Sequence, residues 1–397
     1  MKSRTRFIVP KVVRALALFA GLILAVQTVS AQEPIRIGAF FALSGPAASI
    51  GTPTKLVAQM VVEKINKEGG IDQRPIQLVF GDTESDPTKA LMEAKRLVEK
   101  EKVVAIIGPT RTDTGMAVKP YIEDTAKVPI LMTVGGDPVI AGGKFGPFHW
   151  TFKTPQRTSV AVSKVYGYLK SKNLSKIALL TASDGFGKDG LLWLNQLVAD
   201  YGLTITARES FNVTDTDMTP QLVKIRESGA QALICWTIGP AGALVAKNVK
   251  QLALPIPLVQ CHGQPDPKYI ELAGDAAEGS IMPSTKLMVA DQLPESDPQK
   301  AVIREFLSLY EGTYQYQKQY PVNTHSGYAW DAVYLLANAI RQAGTDPAKM
   351  RDAIEQTRGY VGISGIYNLT AQDHNGLGTD SLVMVRVEKG KWVLLQD

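Results

Sequence analysis

The sequence has few of the residues that build disulfide frameworks or metal centres. Its 397 residues include only two cysteines, Cys235 and Cys261, which are too few for a disulfide scaffold. We expect them to be separate buried thiols. The four histidines are dispersed without the spacing of metal ligands. They are His149, His262, His325 and His374. The composition therefore predicts no metal and no cofactor.

Long hydrophobic runs are also missing. The apolar stretch from Ala15 to Val26 has 12 residues, whereas a membrane-spanning helix needs about 20. Basic residues precede this stretch, and Val29-Ser30-Ala31 follows it with the small residues of a cleavage site. We therefore predict a signal peptide over residues 1–31, cleaved after Ala31, and export to the periplasm. Gln32 stands where a lipoprotein has Cys, so no membrane anchoring is expected.

An excess of charge of one sign is absent once this segment is removed. The chain carries 43 basic and 38 acidic residues, and five of the basic ones lie in residues 1–31, which contain no acid. They are Lys2, Arg4, Arg6, Lys11 and Arg14. The remainder holds 38 residues of each sign. A formally neutral chain gives no electrostatic reason to expect nucleic acid or an anionic membrane surface as a partner.

What the sequence does contain is a repeated alternation of β-branched runs and helical patterns. Strands are predicted at 35–43, 76–80, 103–107 and 129–133, with helices at 51–67, 87–100 and 112–126. A second series has strands at 176–181, 203–209, 232–237 and 256–260, with helices at 156–171, 188–201, 218–228 and 240–251. This alternation is typical of βαβ units around parallel sheets. The length after cleavage exceeds the ~250–300 residues at which a single core stops growing, so we predict two α/β halves.

The segments after residue 283 do not fit either half by their order alone. Helices are predicted near 298–316, 325–342 and 347–357. A hairpin of strands 381–387 and 391–395 follows, turning at Lys389-Gly390. Neither half obviously lacks an element, so the pattern leaves the place of these segments open.

One glycine motif suggests a nucleotide site. Residues 185–190 match G-x-G-x-x-G between a strand and a helix, and Glu209 lies about 20 residues further on, where a ribose-binding acid is expected. However, the motif stands in the middle of the chain, and an exported protein meets little nicotinamide cofactor. We expect instead a tight strand-to-helix turn, in which Gly185 and Gly187 supply permissive backbone angles.

No catalytic constellation is evident. Ser44-Gly-Pro46 lacks the G-x-S-x-G elbow of a hydrolase. Glu93, Glu99 and Glu101 fit a solvated helix face better than an acid pair. We therefore expect a protein that is not an enzyme. An exported α/β enzyme stays an alternative, because catalytic triads assemble in space and not along the sequence.

Several short segments spread over nearly the whole chain form a family pattern when they are taken in order. They are Ile37-Gly-Ala39, Leu43-Ser-Gly-Pro46, 65–71, Asp82 with 86–90, 106–109, Phe186-Gly187, 330–336 and Gly362-Ile-Ser-Gly365. In this order and spacing they resemble the periplasmic solute-binding proteins of branched-chain amino-acid-type ABC transporters, which have the type I binding-protein fold.

The resemblance implies two doubly wound parallel-sheet lobes joined by three hinge crossings. Lobe one would hold residues 32–153 and 284–361, and lobe two would hold 154–283 and 362–397. A ligand bound between the lobes would stabilise a closed form, which a membrane permease and ATPase would then recognise. The implied protein is a monomer. A ligand sensor that docks on a signalling receptor is an alternative with the same fold.

The resemblance also implies which residues line the ligand site, at the carboxyl ends of the strands. Thr112, in a loop with Thr110 and Arg111, matches the family's carboxylate-binding Ser or Thr and also fits a helix N-cap. The implied set further contains Ser44, Gly135 and Asp137 in lobe one, and Phe186, Trp236, Gly239 and His262 in lobe two.

One position departs from the family's amino-acid binders. They usually place an acidic residue in the loop at 260–263 to pair with the ligand's ammonium group, and here His262 stands at that position. With Arg111 beside the carboxylate loop, and with Phe186 and Trp236 nearby, we expect a small carboxylate of the aromatic or keto-acid type. Asp137 could replace the missing acid, so a branched-chain amino acid stays the alternative.

Overall fold

A computed structural model describes residues 32–396 together with Met1. The predicted signal peptide and its cleavage site fall on residues 2–31, outside the described residues. Within the described part of the chain, no helix combines the length and the apolar character needed to cross a membrane.

Five parallel strands form the first sheet. They are β1 (Ile35–Phe41), β2 (Ile76–Asp82), β3 (Ala105–Ile107), β4 (Ile130–Met132) and β5 (Thr151–Lys153), in the order β2-β1-β3-β4-β5. The helices between them are α1 (Ala48–Lys67), α2 (Pro87–Lys95) and α3 (Thr112–Tyr121). The apolar strands β3 and β4 are buried throughout, as expected for a parallel sheet covered by helices on both faces.

A second parallel series follows along the chain. Its strands are β6 (Lys176–Ala182), β7 (Thr204–Phe211), β8 (Ala232–Trp236), β9 (Leu258–Gln260) and β10 (Ile281–Ser284). Its helices are α4 (Thr158–Ser171), α5 (Gly185–Leu197), α6 (Thr219–Glu227), α7 (Pro240–Gln251) and α8 (Pro267–Ala273). The strand order, β7-β6-β8-β9-β10, repeats that of the first sheet. The prediction of two doubly wound α/β lobes in tandem is therefore confirmed.

The late segments pack on the first half of the chain and extend the second sheet. Helices α9 (Lys300–Leu307), α10 (Ser326–Ala343) and α11 (Pro347–Glu355) come first, and α10 packs against α1 and contacts β3. The short strands β11 (Tyr360–Val361) and β12 (Ile366–Tyr367) pair with each other. Strands β13 (Val383–Glu388) and β14 (Lys391–Leu394) form the predicted hairpin, and β13 adds to β10 in antiparallel register. The residue boundaries of the lobes stay a prediction.

Some elements differ from the sequence prediction. Strands β5 and β10 were not predicted, because β5 has only three residues and β10 contains Pro283, a residue that strands disfavour. The helix predicted at 298–316 is shorter than expected: α9 ends at Leu307, and a π-helical turn over Ser308–Thr313 follows.

The two cysteines lie in neighbouring strand ends of the second sheet. Both Cys235 and Cys261 are buried and free, as predicted. The Cys261 thiol donates to the carbonyl oxygen of Thr237 at 2.9 Å. Burial raises the pKa of Cys261 to about 12. Both thiols are therefore packing groups and not reactive nucleophiles.

The chain segments that pass between the two sheets are joined to each other by hydrogen bonds. Asn375 donates from Nδ2 to the carbonyl oxygen of Pro155 at 2.8 Å. The Tyr367 hydroxyl donates to the carbonyl oxygen of Thr154 at 2.7 Å and lies 3.0 Å from Asp331 Oδ2. These bonds connect the segment after β5 with the segment before β13 and with helix α10.

Candidate functional site

The candidate site lies where the loops after the strands of both sheets meet. Open α/β sheets bind ligands at the carboxyl ends of their strands, next to the point where the strand order reverses. That point lies between β1 and β3 in the first sheet and between β6 and β8 in the second. Helix α3 follows β3 and helix α5 follows β6, and the N-termini of these two helices contact each other through Gly185 and Asp113.

Arg111 joins the two lobes through acidic side chains. Its Nε donates to Asp113 Oδ1 at 3.0 Å, and its Nη2 donates to Asp113 Oδ2 at 2.8 Å and to Asp184 Oδ2 at 3.3 Å. Asp184 belongs to the second lobe, where it also caps helix α5 by accepting from the Gly187 NH. Arg111 is thus placed at the site but engaged by two carboxylates.

Thr112 connects the two loops of the first lobe. Helix α3 begins at Thr112 with Arg111 as its N-cap residue, so the expectation that Thr112 is the N-cap is wrong by one position. The Thr112 hydroxyl instead accepts a hydrogen bond from the Gly136 NH at 3.1 Å. The first NH groups of α3 lack partners within the helix, as at every helix start. Of these, the Thr114 NH donates to Asp113 Oδ1 at 2.9 Å, which leaves those of Thr112 and Asp113 as candidate donors.

Asp137 is saturated by neighbouring donors. Its Oδ1 accepts from the Thr158 NH at 2.8 Å and from Lys153 Nζ at 3.2 Å. Its Oδ2 accepts from the NH and the hydroxyl of Ser159 at 3.2 and 3.0 Å. Burial lowers the pKa of Lys153, and the charges of Asp137 and Asp189 oppose that shift. Both carboxylate oxygens of Asp137 are therefore occupied by hydrogen-bond donors from Lys153, Thr158 and Ser159.

Asp189, in helix α5, is a buried acid that the sequence reasoning missed. Its Oδ2 accepts from the Asp137 NH at 2.8 Å, which links the lobes a second time. Its Oδ1 has no hydrogen-bond partner among the described residues, although the side chain is only 3% exposed. Burial and the neighbouring Asp137 charge raise the pKa of Asp189 to about 7. The sequence did contain a signal for Asp189. It follows the predicted site residue Phe186 by three positions, and residues i and i+3 lie on the same face of a helix.

Three rings form the wall of the second lobe. The centroid of Phe186 lies 6.0 Å from that of Trp236 and 5.6 Å from that of His262. Both ring nitrogens of His262 are buried without a partner in the described part of the chain. Burial lowers the pKa of His262 to about 3, so the imidazole is neutral. Phe186 closes on Gly135, where a Cβ would lie 2.7 Å from Phe186 Cε2.

The remaining predicted site residues serve loop geometry or lie apart. The Ser44 hydroxyl donates to Asp82 Oδ2 at 2.8 Å. The Thr110 hydroxyl accepts from the Ala42 NH at 3.0 Å. Gly239, with a φ of +71°, lines a separate cavity of about 260 Å³. Ser44, Thr110 and Gly239 are therefore not part of the cluster. The predicted residues that the structure does bring together are Arg111, Thr112, Gly135, Asp137, Phe186, Trp236 and His262.

A larger cavity of about 580 Å³ opens between helices α3 and α5. We call it the α3–α5 cavity. It is lined by residues of both lobes, among them Thr112, Met116, Phe145, Asp189, Leu191 and Leu192. Thr112 and Asp189 contribute polar groups to the lining, and the other four side chains give it apolar walls. Among residues 32–396, no group of three or more His, Cys, Asp or Glu side chains is arranged to hold a metal ion.

The glycines of the G-x-G-x-x-G motif permit close packing. Neither Gly185 nor Gly187 has a positive φ, so the expectation of special backbone angles is wrong. A Cβ on Gly187 would lie 1.9 Å from the Ala182 carbonyl oxygen, and one on Gly190 would lie 2.2 Å from Trp236 Cδ1. The glycines let helix α5 approach β6 and β8 closely.

The sequence is similar to those of known binding proteins. The chain is 24% identical over 332 residues to the leucine-, isoleucine-, valine-, threonine- and alanine-binding protein of Pseudomonas aeruginosa, covering 82% of this chain and 83% of that protein. It is 22% identical to Leu/Ile/Val-binding protein homolog 3 of Brucella melitensis, covering 92% and 95% of the two chains.

Solved structures share the fold. An extracellular ligand-binding receptor from Rhodopseudomonas palustris HaA2 superposes with a TM-score of 0.83 at 25% identity, covering 92% of this chain and all of that one. A branched-chain amino acid transporter substrate binding protein from Streptococcus pneumoniae gives 0.78 at 24% identity, covering 90% and 97%. The model of the periplasmic binding protein family matches residues 34–391. The chain therefore belongs to the periplasmic binding proteins, and its fold is of type I.

Proposed function

We propose that this receptor binds an amino acid with an apolar side chain between its lobes and delivers it to an ABC importer. The observation that carries the proposal is Asp189 Oδ1, a buried carboxylate oxygen without a partner among the described residues. Leaving such a group unsatisfied costs about 1–3 kcal/mol or more. A ligand ammonium group would give this oxygen a charge-assisted hydrogen bond.

The same place offers donors for a ligand carboxylate. Thr112 lines the cavity together with Asp189, and the first NH groups of α3 point out of the helix start. The apolar walls suit an aliphatic or aromatic side chain. The two curated relatives are named for binding leucine, isoleucine and valine, which also supports an amino acid.

A keto acid or aromatic acid without an amino group is the second candidate. His262 favours it, because the position of the family's ammonium-binding acid is held by a neutral imidazole with two unpartnered nitrogens. A neutral imidazole donates one hydrogen bond and accepts another. It therefore suits a keto or carboxylate oxygen better than an ammonium group.

Titration calorimetry with matched ligand pairs separates the two candidates. Leucine and α-ketoisocaproate differ only in the ammonium and keto groups, and phenylalanine and phenylpyruvate form an aromatic pair. We expect the amino acid of a pair to bind more tightly by a factor of roughly ten or more. Tighter binding of the keto acid in both pairs would favour the second candidate, and no binding of any of the four would refute both.

The cellular part of the proposal is tested separately. We propose export through the signal peptide, monomeric capture of the ligand, and docking of the closed form on a permease and ATPase. N-terminal sequencing of the periplasmic protein should begin at Gln32. Mass spectrometry should recover the added ligand chemically unchanged, and a converted product would indicate an enzyme instead. Loss of uptake on deletion of the receptor would argue against a purely sensory role.

A further inference from the structure

Lys153 is a lysine buried at the point where the chain leaves the first sheet. It is the last residue of β5, and its side chain is 0% exposed. Burying an ammonium group is costly unless its protons are bonded. Its Nζ donates to the Gly135 carbonyl oxygen at 2.5 Å, to Asp137 Oδ1 at 3.2 Å and to the Gln156 carbonyl oxygen at 3.1 Å. Each of the three ammonium protons therefore has an acceptor.

These acceptors belong to different parts of the receptor. Gly135 and Asp137 lie in the loop after β4. The Asp137 NH reaches the second lobe, where it donates to Asp189 Oδ2 at 2.8 Å. Gln156 lies in the segment after β5, which leads to helix α4. The Lys153 side chain thus joins a loop of the cleft to a segment that passes between the sheets.

The backbone of Lys153 is bonded to a second connecting segment, the one before β13. The Lys153 NH donates to the His374 carbonyl oxygen at 3.1 Å, and the Lys153 carbonyl oxygen accepts from Asn375 Nδ2 at 3.0 Å. The His374 ring also stacks on Phe152, with 4.0 Å between the ring centroids. One residue therefore contacts the loop after β4 and both connecting segments.

From these contacts we infer that Lys153 is a positioning residue that couples the loop after β4 to the segments about which the lobes turn. Lys153 does not line the α3–α5 cavity. It acts through Asp137, whose NH meets Asp189 in the closed arrangement. The inference rests on the proposed function, because Asp189 is the acid assigned to the ligand. It adds a residue through which ligand binding acts on closure.

Lys119, in helix α3, provides a matched control. Its side chain is also buried, and its Nζ donates to the carbonyl oxygens of Pro138 at 2.9 Å and Ala141 at 2.8 Å. Both acceptors lie between β4 and β5, and neither belongs to a connecting segment. Lys119→Met and Lys153→Met therefore each remove a buried ammonium group that donates to backbone carbonyl groups, and only Lys153→Met should break the coupling.

Hydrogen exchange of the backbone amides, with and without saturating leucine, measures the coupling. In the wild type and in Lys119→Met, leucine should slow exchange by roughly tenfold or more in the loop at 135–137 and in both connecting segments, at 154–157 and 373–376. In Lys153→Met, the loop should still be protected by leucine and the two segments should not.

The ligand-free protein provides a second measurement. Without the ammonium group the loop after β4 loses its bond to the segment after β5, so the Asp137 NH should meet Asp189 less often. The ratio of open to closed form should then rise about fivefold or more in Lys153→Met and change by less than about twofold in Lys119→Met. Single-molecule energy transfer between dyes on α2 and α6 measures this ratio.

Lys153 also acts on Asp189 through its charge. Burial raises the pKa of Asp189 to about 7, and the Lys153 charge opposes this rise. Lys153→Met should therefore weaken leucine binding even without any coupling. Exchange at saturating leucine separates the two effects, because an electrostatic loss raises the leucine concentration needed for saturation and leaves the connecting segments protected.

The outcomes separate this inference from the proposed function. If leucine protects the connecting segments equally in Lys153→Met and the wild type, the inference fails and the function stands. The inference also fails if Lys119→Met loses this protection as Lys153→Met does. If leucine does not bind the wild type, the proposed function fails, and an equal ratio of open to closed form in Lys153→Met and the wild type would overturn the inference.

A second variant covers the case in which Lys153→Met does not fold. Asn375→Ala removes the side-chain bond to the Lys153 carbonyl oxygen and leaves the buried charge in place. Leucine should then protect residues 135–137 and 154–157 and no longer protect residues 373–376. Full protection of 373–376 in this variant would contradict the coupling through Lys153.

Discussion

Two aspartates of the cleft, Asp137 and Asp189, have opposite surroundings although a hydrogen bond joins them. Asp137 accepts from Lys153 and from three further donors, so its charge is compensated. Asp189 accepts from the Asp137 NH through Oδ2, and its Oδ1 has no hydrogen-bond partner among the described residues. The carboxylate oxygen that is left to accept from a ligand is therefore Asp189 Oδ1, and the acid that recognises the ligand is expected there.

Asp189→Asn should weaken binding of leucine by roughly 10- to 100-fold, because a buried charge partner of the ammonium group is lost. Asparagine can still accept from the Asp137 NH, so the fold should be retained. Calorimetry at pH 8 measures the change. Asp200→Asn, at an exposed position, serves as the control. Unchanged leucine affinity in Asp189→Asn would remove Asp189 from the site.

The wild-type protein should also show a pH dependence of leucine binding. The pKa of Asp189 lies near 7 in the protein without ligand, so the carboxylate is ionised above that pH and protonated below it. Affinity for an ammonium ligand should therefore fall as the pH is lowered from 8 to 6. This dependence should be absent in Asp189→Asn, which calorimetry at the two pH values would show.

The sequence predicted part of this site. Thr112, Gly135, Phe186 and His262 follow strand ends, where the resemblance implied ligand contacts, and the structure brings them together. Asp189 was missed because, within residues 185–190, only the glycines and Phe186 match a known pattern. Its burial depends on the Asp137 NH, which is 52 residues away in the chain. Local sequence patterns do not contain such a contact.

At the scale of elements, helix α5 carries much of the site, and its position depends on two glycines. Gly187 faces the backbone at the end of β6, and Gly190 faces Trp236 in β8. Phe186 and Asp189 lie directly beside these glycines in the chain. If the helix were displaced from the sheet, Phe186 and Asp189 would therefore move away from their contacts in the first lobe.

Gly187→Ala and Gly190→Ala should each lower the free energy of unfolding by about 1–3 kcal/mol, because the added methyl group has no space. Gly167→Ala is the matched control, since Gly167 lies in helix α4 and a Cβ there meets nothing within 4 Å. That variant should be neutral or more stable by about 0.5–1 kcal/mol. Urea denaturation measures all three. Equal stability of the three variants would contradict the close-packing role.

The strands and helices with long periodic patterns were predicted well, and the short ones were not. The βαβ alternation located β1, β6, α4 and α7 to within a few residues. Strands β5 and β10 are defined by their neighbours in the sheet and not by an alternation of their own. The place of the late helices came from the family resemblance, because packing of α10 on α1 joins segments far apart in the chain.

At the scale of the whole molecule, Arg111 is one of the groups that hold the lobes together. It joins Asp113 of the first lobe to Asp184 of the second, and all three side chains are at most 28% exposed. Without the guanidinium group, two carboxylates of opposite lobes would face each other. The ion pairs of Arg111 therefore favour the closed arrangement.

Arg111→Ala should shift the equilibrium between the open and closed forms without ligand towards the open form. A loss of about 1–2 kcal/mol would change the ratio by a factor of roughly 5–30. Single-molecule energy transfer between dyes on α2 and α6 measures the ratio. Arg304→Ala removes an exposed pair with Glu295 within one segment and is the control. An unchanged ratio in Arg111→Ala would exclude this role.

The buried titratable groups have opposite effects on how the free energy of unfolding changes with pH. Burial lowers the pKa values of His262, His325 and His374 to about 3, 4 and 4. The unfolded chain therefore takes up protons first as the pH falls below 6.5, and stability is lost. Burial raises the pKa of Asp331 to about 6, so here the folded state takes up the proton first and the sign is reversed.

Asp331→Asn should therefore steepen the loss of stability between pH 6 and pH 4 by up to about 1.4 kcal/mol per pH unit. Urea denaturation at several pH values gives the slope for the variant and the wild type. Asp200→Asn is again the control, since its side chain is exposed. A slope equal to that of the wild type would show that Asp331 does not take up this proton.

The bonds among the connecting segments have a practical consequence. Asn375 holds the segment after β5, and Tyr367 joins the same segment to Asp331 of helix α10. We expect connections tied in this way to turn together, so that closure of the lobes would be a rotation about one axis. Pairs of surface positions on opposite lobes, far from that axis, would then report the motion. Two fluorescent proteins fused at such positions would make this chain a sensor whose signal follows its ligand.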